Sequence, residues 1–256
     1  MSTNDKIAAT LQKLILPICG VIAVAIVLSS VMYFRDKSEN SKLGKNYDTL
    51  FLLKKEYEDI AKVWRSDVSA DGLEKTKKEK PISKKQVSDQ EKKQSLAPVV
   101  EKLTQHIQAT QGTQVAVEAA LLVVDIGNEY NDSVVGIEPL KMAIKDISKK
   151  HFLYAIGQSE LGSLLAKNDK CNEATQAWES VIAVKEHSFY ANQLKLKAGI
   201  CYEKMSMFDK AEKLYQDVLD QSPNSSSART AKKFLLHIKF VKNKGEADES
   251  TKNKNG

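Results

Sequence analysis

From Leu14 to Phe34 the chain reads LILPICGVIAVAIVLSSVMYF, an uncharged run set between Lys13 and Arg35. A helix over that run rises about 1.5 Å per residue and covers roughly 31 Å, the thickness of a bilayer's hydrocarbon core. The pattern predicts a single transmembrane helix. A buried helix of a soluble domain would need a core on every face, and the flanking sequence supplies none. A cleavable signal peptide has a shorter apolar core followed by a small-x-small site, so an uncleaved signal anchor is the better reading. Gly20, Ala23, Ser29 and Ser30 offer small surfaces for close approach of another membrane helix.

Behind the connector DKSENSK the apolar pattern changes to helical steps. Leu43, Tyr47, Leu50, Leu53, Tyr57, Ile60 and Trp64 share one face of a helix, which is expected to pack on the domain that follows. A coiled-coil seam is the alternative, at about three heptads. From 66 to 95 the chain holds eight lysines and few large apolar groups, and it is expected to be a mobile loop. Glu74, Glu79, Asp89 and Glu91 mix the charge and favour a solvated linker over a lipid-surface patch. Pro98 then opens a short helix carrying Val99, Val100, Leu103 and Ile107, with Gly112 as its cap.

From Gln114 onward the apolar segments come in pairs. VAVEAALLVVDIGNEY is followed by NDSVVG and EPLKMAIKDI, where Pro139 occupies a first turn. HFLYAIGQSELGSLLAKN is followed by DKCNEATQAWESVIAVK, and FYANQLKLKAGICYEKMS by MFDKAEKLYQDVLDQSP. Gly127, Gly162 and Gly199 lie late in the first helix of each pair, 35 and 37 residues apart. Periods of this size predict a helical solenoid. Gly162 precedes Ala174, and Gly199 precedes Ala211, by the same twelve residues. With Trp178, Tyr202, Tyr215 and Pro223, these positions resemble the tetratricopeptide repeat. The resemblance implies that Gly and Ala are small where antiparallel helices touch, that the aromatic plugs the gap to the next helix, and that Pro ends the unit. In the first pair, Pro139 stands where the alanine is expected. After Pro223, Ala228, Ala231, Leu235, Ile238 and Val241 share one face, which should close the solenoid. KNKGEADESTKNKNG reads as a disordered tail.

The expected architecture is all-α: a short segment 1–13, the anchor 14–34, a connector and amphipathic helix 35–65, the loop 66–95, the repeat domain 96–241 and the tail 242–256. A net charge of +6, spread over many lysines, does not point to nucleic acid. H-E-x-x-H, the P-loop, G-x-S-x-G and the dinucleotide fingerprint are absent, and His106, His151, His187 and His237 fall in four separate segments. No catalytic residue, metal site, cofactor or small-molecule substrate is expected, and the chain does not read as an enzyme. Cys171 opens a second helix and Cys201 lies late in the next first helix, ends that stacked hairpins bring to the same side. In an exported domain they could form a disulfide; otherwise they are small buried thiols.

This order of segments resembles the bacterial single-pass inner-membrane family described as the ancillary subunit of the Sec translocon. In NDKCNEATQAWESVIAVK, Ala174, Ala177, Trp178 and Glu179 match the A-x-x-A-W-E of that family's G-D-x-x-x-A-x-x-A-W-E motif, and Asp169, one residue further upstream than the motif's aspartate, is its counterpart. The resemblance implies a repeat domain in the periplasm that contacts the translocon, periplasmic chaperones or client polypeptides. The repeat register places the expected partner-binding concave face at Ile156, Ser159, Ser163, Lys167, Gln193, Leu196, Ile200, Glu203 and Lys204. Other readings are a general holdase, or an envelope scaffold for division or outer-membrane assembly. Lys6 and Lys13 before the span, against Arg35, Lys37, Lys42 and Lys45 after it, leave orientation open, because a long domain translocates largely regardless of charge.

Overall fold

In the computed structural model the described residues are 42–65 and 87–252, with side chains described as far as 243. The predicted span 14–34, most of the lysine-rich loop and residues 253–256 lie outside them. Every element among the described residues is helical, and none is long and apolar enough to cross a membrane. The first helix, α1, occupies 42–65. Its residues up to Thr49 group with an N-terminal unit, and those from Leu50 onward with the rest of the chain. In that second unit α1 buries Leu50, Leu53, Tyr57 and Ala61. Tyr57 donates to Glu129 Oε1 at 3.0 Å, and the Arg65 guanidinium meets the same carboxylate. Burial, then the Glu129 carboxylate, pushes the Tyr57 phenol up to about 12 against the opposing pull of Arg65. A raised folded pKa means that this contribution to stability is complete below the phenol's ordinary value of 10.0 and is lost as pH rises toward 12. Urea unfolding should therefore show stability falling over that window, with a smaller slope in Tyr57→Phe.

The second helix, α2 (Asp89–Ala109), starts earlier than the sequence reading allows. Ser88 Oγ accepts from the Glu91 backbone N–H at 3.3 Å, and the Glu91 carboxylate accepts from the Ser88 backbone N–H at 2.9 Å. This reciprocal cap nucleates a helix across DQEKKQS, so the loop predicted over 66–95 ends before Ser88, and Pro98 lies inside the helix. The carbonyl that Pro98 leaves without a donor is that of Gln94. Both residues are on the solvent side, where water can serve it.

Then follow α3 (Gln114–Glu129), α4 (Ile137–Ile144), α5 (Phe152–Lys167), α6 (Cys171–Ile182), a 3₁₀ turn (Lys185–His187), α7 (Ser188–Lys204), α8 (Phe208–Gln221) and α9 (Ser226–Lys252). Three-residue turns join α5 to α6 and α7 to α8, so helices that pack along their lengths run antiparallel. The three intra-hairpin turns share one construction. Asn131, Asp169 and Ser206 take φ of 56°, 59° and 58°, and the next residue's N–H reaches back to Gly127, Leu165 and Tyr202 carbonyls at 2.9, 2.9 and 2.8 Å. These are Schellman turns, in which a residue in the left-handed region satisfies the helix's last carbonyls. Since glycine adopts that conformation without Cβ strain, Ser206→Gly should raise stability by about 1 kcal/mol, read as a higher urea midpoint at unchanged slope.

The turns also correct the repeat register. Gly127 is the counterpart of Leu165 and Tyr202, not of Gly162 and Gly199. It is small because a Cβ there would lie 2.5 Å from Val135 Cγ1 and 2.6 Å from the carbonyl oxygen of Asp132 in its own turn. In the later hairpins the glycine serves an aromatic ring. A Cβ on Gly162 would sit 2.6 Å from Trp178 Cε2, and one on Gly199 would sit 2.6 Å from Tyr215 Cζ. The aromatic thus seats on the first helix of its own hairpin, and Tyr215 also reaches the next helix, with its ring centroid 5.1 Å from that of Phe234 on α9. Trp178 Nε1 donates to the Ser159 carbonyl at 3.1 Å, and Tyr215 donates to Glu203 Oε1 at 2.5 Å. Ala174 and Ala211 are fully buried near the start of each second helix. Pro223 lies in the exposed turn before α9, where Ser225 Oγ caps the Ala228 N–H at 3.0 Å.

Tyr202, Ala211, Tyr215, Val218, Ala231, Leu235 and Ile238 form the C-terminal core. The helix α9 runs on to Lys252, through most of the tail predicted to be disordered. Helix hydrogen bonds need no core, and the Lys, Glu and Ala of 244–252 are good helix formers, with Gly245 the only strong breaker.

Candidate protein-binding surface

The left-handed turn residues Asp169 and Ser206 are 37 residues apart, as are Gly162 and Gly199, so each position on α5 has a counterpart on α7. One row faces the preceding hairpin: Gly157, Leu161 and Leu164 on α5, then Leu194, Ala198 and Cys201 on α7, all buried. A second row faces the helix's own partner and holds the glycine–aromatic contacts. The predicted partner-binding residues form a third row, in which Ile156 pairs with Gln193, Ser163 with Ile200 and Lys167 with Lys204.

That third row is only partly open. Gln193, Ile200, Lys167 and Lys204 are exposed, while Ile156 and Ser163 are half-buried. Ser163 Oγ accepts from Lys197 Nζ at 2.8 Å and donates to the Ser159 carbonyl at 2.9 Å, linking neighbouring first helices. Lys204 Nζ lies 3.9 Å from Asp169, an exposed pair worth little. The other three predicted residues serve packing. Ser159 supplies the carbonyl for Trp178, and Leu196 packs on the C-terminal core. The Glu203 carboxylate receives Tyr215 and, at 3.0 Å, His237 Nδ1 of α9. Glu203 therefore ties α7, α8 and α9 together and is not open to a partner. Burial, and then Glu203, pushes the Tyr215 phenol far up, so it stays a donor throughout the physiological range.

Sequence reasoning missed Lys197, which crosses between repeats, and Lys195, which is nearly buried 3.6 Å from Asp217 of α8. Helical periodicity places Lys195 on the inner side of α7, but only the α8 carboxylate explains how a lysine stays there. Cys171 and Cys201 are disulfide-bonded, with Cα atoms 5.1 Å apart, and join the start of α6 to α7 of the next hairpin. Next to it, Tyr202 donates to Glu179 at 2.5 Å across the same junction. Two shallow depressions, of about 780 and 260 Å³, lie elsewhere, one between α1 and α2 and the other beside α4 and α5. Among the described residues no three His, Cys, Asp or Glu side chains gather as a metal site.

No family model matches the chain, and no curated protein matches it. Solved structures similar to it include two crystal structures. A crystal structure of MamA is 21% identical, covering 64% of this chain and 96% of its own, with a TM-score of 0.41. A crystal structure of MamA protein is 17% identical, covering 69% of this chain and 93% of its own, with a TM-score of 0.36. The repeat assignment rests on this chain's own geometry, namely the recurring left-handed turns and the Gly162–Trp178 and Gly199–Tyr215 contacts. Among the described residues, α3 to α8 form a stack of three tetratricopeptide-like helical hairpins.

Proposed function

We propose that the protein is a membrane-anchored interaction scaffold that holds protein partners along the first helices of its repeats. The observation that carries this reading is the row Ile156–Gln193, Ser163–Ile200 and Lys167–Lys204. It mixes apolar, amide and cationic groups at a fixed repeat spacing, which suits an extended chain segment with its carboxylates met by lysines. The scaffold needs no catalytic residue and no cofactor. Anchoring by the Leu14–Phe34 run would raise the effective concentration of a weakly bound partner to the millimolar range.

The finer reading is an ancillary subunit of the Sec translocon on the periplasmic side, which passes clients to periplasmic chaperones. It is supported by the NDKCNEATQAWESVIAVK resemblance and by the Cys171–Cys201 disulfide, a bond that persists in oxidising compartments. A photocrosslinker at Gln193 or Ile200 in intact membranes should give translocon adducts, and Lys167→Glu with Lys204→Glu should remove them. Adducts unchanged by the double charge reversal would end the groove assignment. Their absence, together with suppression of aggregation of unrelated clients by the isolated domain, would replace the translocon reading with a holdase.

A further inference from the structure

The 37-residue register continues into α9. Lys195 of α7 corresponds to Lys232, Gly199 to Leu236, Tyr202 to Lys239 and Glu203 to Phe240. On α7, Lys195, Gly199 and Glu203 are covered by α8, through Asp217 on Lys195 and Tyr215 on the other two. On α5 the same face is covered by Trp178 of α6. On α9 that face is open among the described residues: Leu236 is 61% exposed and Phe240 68%. The opposite face of α9 is spent, with Ala231, Leu235 and Ile238 buried against α7 and α8. Arg229, Lys232, Lys233 and Lys239 are exposed beside Leu236 and Phe240, and no Asp or Glu occurs from Pro223 to Gly245. A helix that only closed a solenoid would present a polar outer face.

We propose that this face of α9 receives an acidic amphipathic helix from a partner protein, which completes a fourth hairpin as its second helix. The occupant is helical because the open positions are those a second helix covers in both preceding hairpins. It is acidic because, among the described residues, no carboxylate pairs with the four cations on the face, and because the α7–α8 contact already pairs Lys195 with an aspartate at the counterpart of Lys232. A small residue must face Leu236, since the bulk that the second helix supplies elsewhere, on Trp178 or Tyr215, here comes from the first helix. A second copy meeting through α9 would set like charges against each other.

The test uses the full chain in nanodiscs of zwitterionic lipid and a labelled designed helix of α8 length. That probe carries Ala at the Tyr215 position and Glu opposite Lys232 and Lys239; its counterpart carries Lys in place of Glu. Fluorescence anisotropy should give the acidic probe a Kd at least tenfold below that of the basic one. Leu236→Asp or Phe240→Asp should weaken it at least tenfold, and Lys232→Glu with Lys239→Glu should invert the preference. All four positions are exposed, so helical circular dichroism and melting should be unchanged in these variants. Equal binding of the two probes, or acidic-probe binding indifferent to Leu236→Asp, overturns the proposal. So does Leu236-dependent binding to phosphatidylglycerol vesicles without acidic-probe binding, which would make the face a bilayer contact. A dimer in sedimentation abolished by Leu236→Asp would overturn it in favour of self-association.

Discussion

Trp178→Ala should cost about 3–5 kcal/mol, the range for removing a large buried aromatic. Trp178 is 2% exposed, and its indole seats on Gly162, so the truncated site has no neighbouring Cβ able to fill it. Loss of the Nε1–Ser159 bond also leaves a partly buried carbonyl short of one donor. The sharper test is a cycle with Gly162. Alone, Gly162→Ala drives a methyl into a rigid ring, and overpacking of about 1–3 kcal/mol exceeds the gain of roughly 1 kcal/mol that alanine brings to a helix interior. In a Trp178→Leu background the ring is gone, and the same substitution should stabilise. Urea unfolding of the four proteins reads the sign change directly, and additivity would refute the glycine–aromatic contact. Gly127→Ala supplies a control, because its Cβ would meet Val135 Cγ1 at 2.5 Å and the backbone carbonyl of Asp132 at 2.6 Å, so truncating Val135 leaves the carbonyl in place and should not rescue it.

Reducing the Cys171–Cys201 bond, or replacing both residues with alanine, should cost about 3–4 kcal/mol. Closing a loop across a sequence separation of 30 removes roughly that much entropy from the unfolded chain. The native state changes little, since both residues are buried and their Cα atoms are held 5.1 Å apart by the α6–α7 packing. Urea midpoints with and without dithiothreitol measure the difference. A gel-shift assay with a thiol reagent on protein taken directly from cells tests whether the bond forms where the protein resides. Labelling of both thiols in unfolded but unreduced material would remove the support that the bond lends to an exported domain.

The hairpins from Phe152 to Gln221 were readable because two identical choices, a glycine late in one helix and an aromatic in the next, recur at 37 residues with the buried rows between them. The first hairpin misled because the identity of Gly127 does not say what it makes room for. A turn carbonyl and an indole ring both require a missing Cβ. The start of α2 was hidden by composition: the lysine-rich stretch lowers the apolar content of any window that includes it, while Ser88 and Glu91 cap the helix locally regardless of burial. Within the candidate surface, helical period separates solvent-facing from inward positions. It could not show that Glu203 is engaged, because Tyr215 and His237 come from two later helices.

The sequence by itself determined the helical period, the spacing of the later hairpins and the apolar run 14–34. These follow from local propensity and from periodicity along one chain, which linear order preserves. Only the tertiary structure decided which glycine faces an aromatic, which predicted surface residues are consumed by packing, that Cys171 meets Cys201, and that the outer face of α9 is left open. Each of those depends on which helix lies across from which, a relation between distant segments that no local pattern encodes.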